Sequence, residues 1–332
     1  MKMGFTVLKG KRVLVTGGSG FIASHLCRRL LAEEAILYVT TKYNSMVDNI
    51  RLAAQWGDIR VIEADLRNTD SLAQLRSIKP EIVFHMAAYN HVGDSFLHVS
   101  EAIDSNAKGT ANLMEAWQDY ERFVYISTSE VYGYQESVPF TETMFPQPMS
   151  PYAVGKYAGE IYARMKFRSA GKPVAVLRPF NAFGPYQSPR AIIPELILKC
   201  LRGEQVTTTE GKQTREFNFV ENLVDGVIKA ATVPEAVGEV INLGSGREIA
   251  IRDLVKEIHR CTDSTSELRI GALPYRAGEI WRMCADNAKA ARLLDWTPTL
   301  SFEEGIKRTV AWFRDFVEAM YGPHSQVVRL GR

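Results

Sequence analysis

The feature of this sequence that most constrains its fold is the regular alternation of strand-like and helix-like segments in its first 180 residues. Short runs rich in β-branched residues predict six strands, at Arg12–Thr16, Ile36–Thr41, Ile59–Glu63, Ile82–His85, Phe123–Ser127 and Val174–Arg178. The segments between them predict helices at Phe21–Ala32, Ser71–Ile78, Asn106–Asp119 and Tyr152–Ser169. Since parallel neighbours in a sheet need long crossover connections, this alternation predicts a parallel sheet covered by helices on both faces.

Beyond Pro179 the alternation loosens, and helical patterns are separated by turn-rich linkers. The helices predicted in this part are Ile192–Arg202, Asn222–Ala231, Asp253–Cys261, Asp286–Leu294 and Phe302–Tyr321. We therefore predict an α/β chain with a doubly wound parallel sheet in residues 1–180 and a smaller mixed α/β C-terminal lobe in residues 181–332. The two parts interleave in a cleft outside the carboxyl ends of the strands, where a substrate is expected to bind.

The composition excludes some classes of partner. The 40 basic and 38 acidic side chains leave a net charge of +2, which provides no charged surface for nucleic acid or an anionic membrane. No apolar run approaches the ~18 residues of a membrane-spanning helix, and the first residues lack a signal peptide. The four cysteines, which have no C-x-x-C spacing, predict reduced thiols, no metal site and a cytoplasmic location; they are Cys27, Cys200, Cys261 and Cys284.

A glycine-rich turn joins the first strand to the first helix. Gly17 and Gly20 form a G-x-x-G pattern, and Ala23 occupies the third small position. Small residues let the backbone approach a pyrophosphate, and the N-terminus of the helix supplies free N–H groups and a positive dipole. Many glycine-rich turns are only turns, but the position between a first strand and a first helix predicts an NAD(P)-binding domain of the Rossmann type.

Two further positions concern the adenosine end of such a cofactor. Asp65 follows the third strand and can accept a hydrogen bond from the adenine amino group, or it can simply cap the next helix. The second strand ends in Thr41-Lys42 without the acid that holds the ribose 2′-hydroxyl in NAD enzymes. Lys42 can pair with a 2′-phosphate or lie in solvent, so the sequence leaves NAD and NADP both open.

A Y-x-x-x-K pair, Tyr152 and Lys156, lies in the helix predicted before the sixth strand. Spacing of four places both side chains on one helix face. We expect the ammonium group, together with a positive nicotinamide, to lower the pKa of the phenol, whose ordinary value of about 10 makes it a poor base. The fifth strand ends in Ser-Thr-Ser-Glu, which adds the hydroxyl of Thr128 and the carboxylate of Glu130. Each part occurs by chance, but the combination in this order predicts a catalytic site.

These motifs resemble the extended short-chain dehydrogenase family of nucleotide-sugar epimerases, dehydratases and decarboxylases, from about Lys11 to Phe316. The matching stretches are Thr-Gly-Gly-Ser-Gly-Phe-Ile (16–22), His-Met-Ala-Ala (85–88), His91-Val92 with Ser95, Ser-Thr-Ser-Glu-Val-Tyr-Gly (127–133), Tyr152 with Lys156, and Arg178-Pro179-Phe180-Asn181. Gly184–Pro189, Ile193-Pro194, Thr214–Phe217 and Arg276–Glu279 resemble the sugar-nucleotide 4,6-dehydratases within this family.

The resemblance implies which residues bind the two small molecules. It implies a tightly bound NAD, with NADP not excluded, in contact with Gly17, Gly20, Phe21, Ile22, Lys42, Asp65, Leu66, Ala87, Ala88, Asn106, Tyr152 and Lys156. It implies a nucleotide-diphosphate sugar held by His91, Ser129, Asn181, Arg190, Arg215, Arg276 and Glu279. An arginine suits this task because its planar fork binds phosphate oxygens through two hydrogen bonds.

The resemblance to 4,6-dehydratases implies a reaction in three stages. Tyr152 removes the proton of the 4-hydroxyl while C4 passes a hydride to the nicotinamide, Glu130 takes the C5 proton as water leaves from C6, and the hydride returns to C6. Two departures from the family pattern are Thr128-Ser129-Glu130, where thymidine-sugar dehydratases carry Thr-Asp-Glu, and Ala23 in place of the third glycine. The first leaves open which group protonates the departing 6-hydroxyl.

Three alternatives remain open. A 4-epimerase needs Tyr152, Lys156 and Thr128 but not Glu130. A uronate decarboxylase has a use for Glu130, but such enzymes resemble Tyr-Asp-Glu-Gly-Lys where this chain has Tyr-Ala-Val-Gly-Lys. A catalytically silent dinucleotide-binding module has no need to retain the Tyr–Lys pair.

The family resemblance also implies a homodimer with two-fold symmetry and a four-helix interface. The helix that leads to Asp119 and the helix that begins at Tyr152 have apolar residues on more than one face, which include Leu113, Ala116, Ile161 and Met165. Packing into the core of a single subunit accounts for the same residues.

Overall fold

The computed structural model of the protein describes residues 7–275 and 279–321. Its strands are β1 (Arg12–Thr16), β2 (Ile36–Thr41), β3 (Arg60–Glu63), β4 (Ile82–His85), β5 (Arg122–Ile126), β6 (Val174–Pro179), β7 (Ala182–Phe183), β8 (Val206–Thr208), β9 (Thr214–Glu216), β10 (Asn218–Phe219), β11 (Val240–Leu243), β12 (Glu248–Ala250) and β13 (Leu268–Ile270). Its α-helices are α1 (Phe21–Ala32), α2 (Leu75–Ile78), α3 (Val92–Ser95), α4 (Val99–Ile103), α5 (Gly109–Ala116), α6 (Pro151–Ala170), α7 (Ile192–Leu201), α8 (Val220–Thr232), α9 (Ile251–Cys261), α10 (Ala288–Leu294) and α11 (Phe302–Tyr321).

Seven parallel strands form the main sheet in the order β11-β6-β5-β4-β1-β2-β3. The predicted fold class, a doubly wound parallel sheet of the Rossmann type, is confirmed. The six predicted strands all belong to this sheet. The seventh, β11, was not predicted: the chain returns from the second lobe and places Val240 beside Val176 of β6. This strand depends on its pairing with β6, and the pairing partner lies 64 positions earlier.

Helices cover both faces of the sheet. Helices α1 and α8 pack on one face with the apolar side chains of β1 and β2, and α5 and α6 pack on the other. A third cluster of buried apolar side chains lies in the second lobe, where α7, α9 and α11 meet. The three short two-stranded sheets, β10-β7, β12-β9 and β13-β8, make this lobe a mixed α/β unit.

Two predicted helices were wrong in extent. The helix predicted at Asn106–Asp119 is part of a longer helical segment that begins at Val99 and includes a π-helical turn at Asp104–Lys108. This segment ends at Ala116, because the backbone of Trp117 is extended. The segment Ser71–Ile78 is not one helix but a 3₁₀ turn, Asp70–Leu72, followed by α2. Lys79 closes α2 in the left-handed conformation, directly before a proline, which cannot continue a helix.

The four residues named for a dimer interface divide into two groups. Leu113 is 2% exposed and belongs to the core, and the partly buried Ala116 packs against the same cluster, so packing within one subunit accounts for these two. Ile161 and Met165 of α6 are 50% and 39% exposed. Only the second pair lies on a surface that another subunit can cover.

Within residues 7–275 and 279–321, no helix is both long enough and apolar enough to cross a membrane. In the same described ranges, no cluster of three or more histidine, cysteine or acidic side chains has the arrangement of a metal site. All four cysteines carry free thiols.

Candidate active site

The turn after β1 folds tightly against the neighbouring strands. Gly17 has a φ of +64° and donates its N–H to the carbonyl of Thr40 at 3.0 Å. A Cβ at Gly17 would lie 2.8 Å from the Cα of Ala87, and one at Gly18 would lie 2.2 Å from a methyl carbon of Val39. Glycine is therefore required by packing at both positions. Gly20 then caps α1, whose first N–H groups are left for a ligand.

A cavity of about 560 Å³ opens beside this turn, which is a suitable size for a dinucleotide. Seven of the predicted cofactor residues line it: Gly17, Gly20, Lys42, Asp65, Leu66, Ala87 and Ala88. Phe21 and Ile22 do not line it and pack instead against the apolar cluster of the second lobe. His91, predicted to bind substrate, also lines the cavity. The close-packed glycine turn and the free end of α1 fit the diphosphate of a nicotinamide dinucleotide.

Charged side chains at one end of the cavity are paired with one another. Asp65 accepts hydrogen bonds from Arg67, the shortest at 2.6 Å, and this partner lowers the pKa of Asp65 to about 2. Lys42 and Arg67 both lie 3.4 Å from a carboxylate oxygen of Glu101. Sequence reasoning missed Arg67, Glu101 and a further lining residue, Asp48. The pairing of Arg67 with Asp65 could have been predicted from the sequence, since a cation two residues after an acid is close enough to form an ion pair with it.

Two buried side chains hold the strand ends behind the cavity. His85 is completely buried between the hydroxyls of Thr16 and Thr110, at 2.8 and 2.9 Å, and burial lowers its pKa to about 3. Asn106, predicted to contact the cofactor, uses its amide to bind both the N–H and the carbonyl of Tyr89. Asn106 therefore shapes the loop of residues 86–91, part of the cavity wall, and is itself outside the lining.

The end of β5 presents the predicted catalytic hydroxyl and carboxylate. Thr128 caps the turn after the strand by accepting the N–H of Glu130 at 3.2 Å. Burial raises the pKa of the Glu130 carboxyl, and the nearby charge of Arg215 acts in the opposite direction. A desolvated carboxyl with a raised pKa is a stronger proton acceptor than one in water.

Tyr152 lies in the first turn of α6. Ser150 caps this helix by accepting the N–H of Ala153 at 3.1 Å, and Pro151 occupies the first helical position, where no N–H is needed. Burial raises the pKa of Tyr152 to about 12, against a hydrogen bond with Thr128 that lowers it. The direction of this shift is opposite to the lowering that the sequence predicted, because desolvation is its largest cause.

Lys156 follows one turn later and is 3% exposed. Its ammonium group lies 4.6 Å from the centre of the Tyr125 ring, and the hydroxyl of Tyr125 donates to the carbonyl of Lys156 at 2.8 Å. Burial lowers the pKa of Lys156 to about 7, and the charge of Glu160 opposes this shift. The lysine is thus in the range where it can hold or release a proton near neutral pH.

Sequence reasoning missed a buried network directly beneath these residues. Glu160 of α6 accepts from Ser127 at 2.8 Å and from two nitrogens of Arg178 at 2.6 and 3.1 Å. Ser127 precedes Thr128, and Glu160 follows Lys156 by one turn. The carboxylate therefore ties the end of β5 to the helix that carries Tyr152 and Lys156. No local pattern signals this contact, since its partners lie 18 and 33 residues away.

The predicted substrate residues of the second lobe are bound to other protein groups. Arg215 donates to the carboxylate of Glu279 at 2.8 Å and to the carbonyl of Ile280 at 2.6 Å. Asn181 donates to the carbonyl of Glu216 at 3.2 Å. Arg276, predicted to bind the substrate, lies outside the described residues.

Two other predicted substrate residues are placed differently. Ser129 is buried, and its hydroxyl contacts the sulfur of Met283 at 3.8 Å. Arg190 forms two hydrogen bonds with Asp94, at 2.9 and 3.0 Å, and Asp94 also pairs with His91. The structure therefore brings together Thr128, Glu130, Tyr152 and Arg215, whereas Ser129 and Arg190 have partners elsewhere.

The chain is similar to known proteins over most of its length. The family model described as GDP-mannose 4,6 dehydratase matches residues 14–309. The chain is 32% identical to a UDP-glucose 4-epimerase of Mycolicibacterium smegmatis, with 92% of this chain and 99% of the relative covered. It is 33% identical to a dTDP-glucose 4,6-dehydratase of Neisseria meningitidis, with 92% and 94% covered.

A dTDP-glucose 4,6-dehydratase double mutant from Streptomyces venezuelae, solved with NAD bound, superimposes with a TM-score of 0.82. That structure is 31% identical to this chain, with 92% of this chain and 98% of the other covered. The relatives include dehydratases, epimerases and a decarboxylase at similar identity. The chain belongs to the GDP-mannose 4,6-dehydratase family of nucleotide-sugar dehydratases and epimerases.

Proposed function

We propose that this protein is a nicotinamide-dinucleotide-dependent 4,6-dehydratase of a nucleotide sugar. The observation that carries the proposal is Glu130, a desolvated carboxyl placed at the same strand end as Thr128 and close to Arg215. An epimerase, which only removes and returns the hydrogens at C4, has no use for a carboxyl at this position. A dehydratase needs one, because it must also remove a proton from C5.

The first step is proton removal from the 4-hydroxyl of the sugar. Tyr152 is the acceptor, and its hydrogen bond with Thr128 stabilises the phenolate that the reaction requires. Lys156 supplies a positive charge on the same face of α6. The chemistry that a bound nicotinamide supplies is acceptance of a hydride from C4 and its later return to C6.

The second step is loss of water across C5 and C6. The 4-ketone acidifies the C5 proton, and Glu130 removes it. The strand end presents one carboxyl where thymidine-sugar dehydratases present two, so we propose that the protonated Glu130 then delivers this proton to the departing 6-hydroxyl. The raised pKa of Glu130 suits both halves of this transfer, since it strengthens the base and keeps the acid protonated until it is needed.

The residues that bind the substrate come from the second lobe. We propose that Arg215 and Asn181 hold the diphosphate and nucleoside, with Glu279 as the partner that Arg215 exchanges for phosphate oxygens. Arg276 belongs to this proposal by its sequence motif alone. The substrate is therefore a nucleoside-diphosphate hexose that carries a free 6-hydroxyl.

We also propose that the protein is a cytoplasmic homodimer. Support for the dimer comes from α6, where Val154, Ile161 and Met165 are 44%, 50% and 39% exposed at spacings of seven and four residues. Such spacing forms one apolar stripe on a helix, which a second copy of α6 and its neighbour α4 can cover in a four-helix arrangement. Val99 of α4, 49% exposed, extends the same kind of surface.

The experiment that tests the reaction is incubation of the purified protein with a panel of UDP-, GDP-, dTDP- and CDP-hexoses and uronates, followed by mass spectrometry. We expect the loss of one water from at least one hexose donor. Loss of carbon dioxide from a uronate would assign a decarboxylase, and a new isomer of unchanged mass would assign an epimerase. No change with any donor would contradict an enzymatic role on sugars.

A further inference from the structure

The adenosine end of the cofactor cavity has an unusual distribution of charge. A carboxylate at the end of the second strand of a Rossmann sheet accepts a hydrogen bond from the ribose 2′-hydroxyl and repels a 2′-phosphate. In this protein residues 40–47 contain no acid. Thr41 uses its hydroxyl to donate to the carbonyl of Tyr43, and Lys42, half-exposed, lines the cavity.

The acids that line this end of the cavity are mostly neutralised. Asp65 is bound by Arg67 on both oxygens, and Glu101 lies between Lys42 and Arg67, 3.4 Å from each. A contact of that length is a weak hydrogen bond, so Lys42 can turn toward a ligand, while Arg67 stays bound to Asp65 at 2.6 Å. Asp48 is the lining acid for which the described residues provide no cation, and it is exposed at the rim.

Two guanidinium groups lie behind the glycine turn. Arg51 donates to the carbonyl of Ser19 at 3.3 Å and to the carbonyl of Tyr186 at 2.9 Å. Arg28 lies over the ring of Tyr186 and donates to the carbonyl of Arg51 at 2.5 Å. Both are half-buried, and no carboxylate in residues 7–275 or 279–321 pairs with either.

Cations that are half-buried without an acid create a positive potential in the adjacent cavity. Ser19, whose carbonyl binds Arg51, lines that cavity next to the end of β2, since Gly17 and Gly18 both donate to the carbonyl of Thr40. The wall between the glycine turn and Lys42 is thus positive from two independent sources. A dinucleotide with one additional phosphate on its adenosine ribose would be attracted both by Lys42 and by the arginines behind the glycine turn.

We infer that the adenosine end of the cavity is a 2′-phosphate subsite, in which Lys42 pairs with the phosphate and Arg51 supplies the field behind it. The protein therefore prefers the phosphorylated dinucleotide, NADP(H), over NAD(H). This inference rests on one part of the proposed function, namely that the cavity binds a nicotinamide dinucleotide. It does not depend on which sugar reacts.

Direct binding to the full chain, freed of any copurified cofactor, tests the inference. We expect NADPH, titrated by its fluorescence, to bind about tenfold more tightly than NADH, as one charge-assisted pair provides. Lys42→Gln should weaken NADPH binding about tenfold more than it weakens NADH binding, and so remove this preference. Lys9→Gln, an exposed lysine that is paired with Glu34 away from the cavity, is the control and should change neither affinity.

A second comparison separates the 2′-phosphate from the diphosphate. 2′-AMP should displace NADPH at lower concentration than 5′-AMP does, and this difference should vanish in Lys42→Gln. Tighter binding of NADH than of NADPH would overturn the inference. So would equal losses of both in Lys42→Gln, and a loss of NADH binding in Asp48→Asn would then assign the ribose to Asp48. A protein that prefers NADPH but changes no nucleotide sugar would keep this inference and lose the proposed function.

Discussion

Two arginine–glutamate pairs, one in the sheet domain and one in the second lobe, have the same chemistry and different surroundings. In the Arg178–Glu160 pair the closest atoms are 2.6 Å apart, and the side chains are 2% and 0% exposed. In the Arg215–Glu279 pair they are 2.8 Å apart, and the side chains are 22% and 13% exposed. The first pair fixes the strand end and the helix that carry the proposed catalytic residues. The second joins β9 to the segment that contains Glu279 and Ile280.

The difference in burial predicts a difference in use. Breaking a fully buried pair leaves a charge without water or partner, so Arg178 and Glu160 stay together through every step of the reaction. A partly exposed pair can exchange one partner for another anion at little cost. We therefore expect the catalytic side of the site to be preformed and the substrate side to be completed when the diphosphate replaces Glu279.

The largest expected effect is on the preformed side. Tyr152→Phe removes the proton acceptor but leaves the glycine turn and the buried pair intact, so turnover should fall by about 10³ while the cofactor still binds. Steady-state assays and cofactor titration measure the two quantities. Tyr157→Phe, on the same helix, is the matched control and should retain activity. Turnover of Tyr152→Phe near that of the parent would remove this residue from the mechanism.

The next effect compares the two pairs directly. Glu160→Ala leaves Arg178 buried without a partner and should lower the free energy of unfolding by about 3–5 kcal/mol. Glu279→Ala should lower it by only about 1 kcal/mol, since water reaches Arg215. Chemical denaturation measures both values. Equal losses in the two variants would show that burial does not distinguish the pairs.

The third effect concerns the exchange of partners by Arg215. Arg215→Met should raise the KM for the nucleotide sugar about tenfold to a hundredfold, because a charged group then loses its hydrogen bonds to the diphosphate. Cofactor affinity should not change. The control is Arg282→Met, which removes an exposed arginine of the same lobe that is paired with Glu248. An unchanged KM would place the diphosphate away from Arg215.

The smallest effect is a dependence of the free energy of unfolding on pH, which arises from His85 in the sheet domain. Burial lowers the pKa of His85 to about 3. The native histidine therefore stays neutral below pH ~6.5, where the histidine of the unfolded chain becomes protonated. Its contribution to stability is present above pH ~6.5 and is lost as the pH falls toward 3, by at most ~1.4 kcal/mol per pH unit.

Denaturation at pH 7 and pH 5.5 measures this loss. His85→Gln should show a flatter dependence than the parent, and His98→Gln, an exposed histidine, should match the parent. Equal slopes in all three proteins would mean that His85 takes up its proton in the native state.

Features that depend on neighbours in the chain were the ones that the sequence predicted well. The alternation of strands and helices, the turn at Gly17 and Gly20, and the four-residue spacing of Tyr152 and Lys156 are all local. The fold class followed from such features, and the catalytic role of Tyr152 and Lys156 stays a prediction. The ends of α6 were predicted to within one residue, and in the structure Ser150 and Gly171 cap this helix.

Features that depend on distant contacts were missed. β11 is a strand because Val240 pairs with Val176 of β6. Glu160 connects α6 to the sheet because Arg178, near the end of β6, donates hydrogen bonds to its carboxylate. The raised pKa of Tyr152 reflects burial by residues that spacing does not show. Leu113 was named for an interface because periodicity shows that a residue is apolar, not which apolar neighbours cover it.

Glu130→Gln tests the central claim most directly. The amide keeps the size of the side chain but cannot accept the C5 proton, so this variant, given its substrate, should still reduce the bound nicotinamide. The reduced cofactor should accumulate by absorbance, and release of the 4-keto-6-deoxy product should fall by about a hundredfold or more. Glu136→Gln, an exposed acid of the segment that follows, should behave like the parent. Interconversion of C4 isomers by Glu130→Gln at close to the parent rate would contradict the dehydratase assignment and show a 4-epimerase instead.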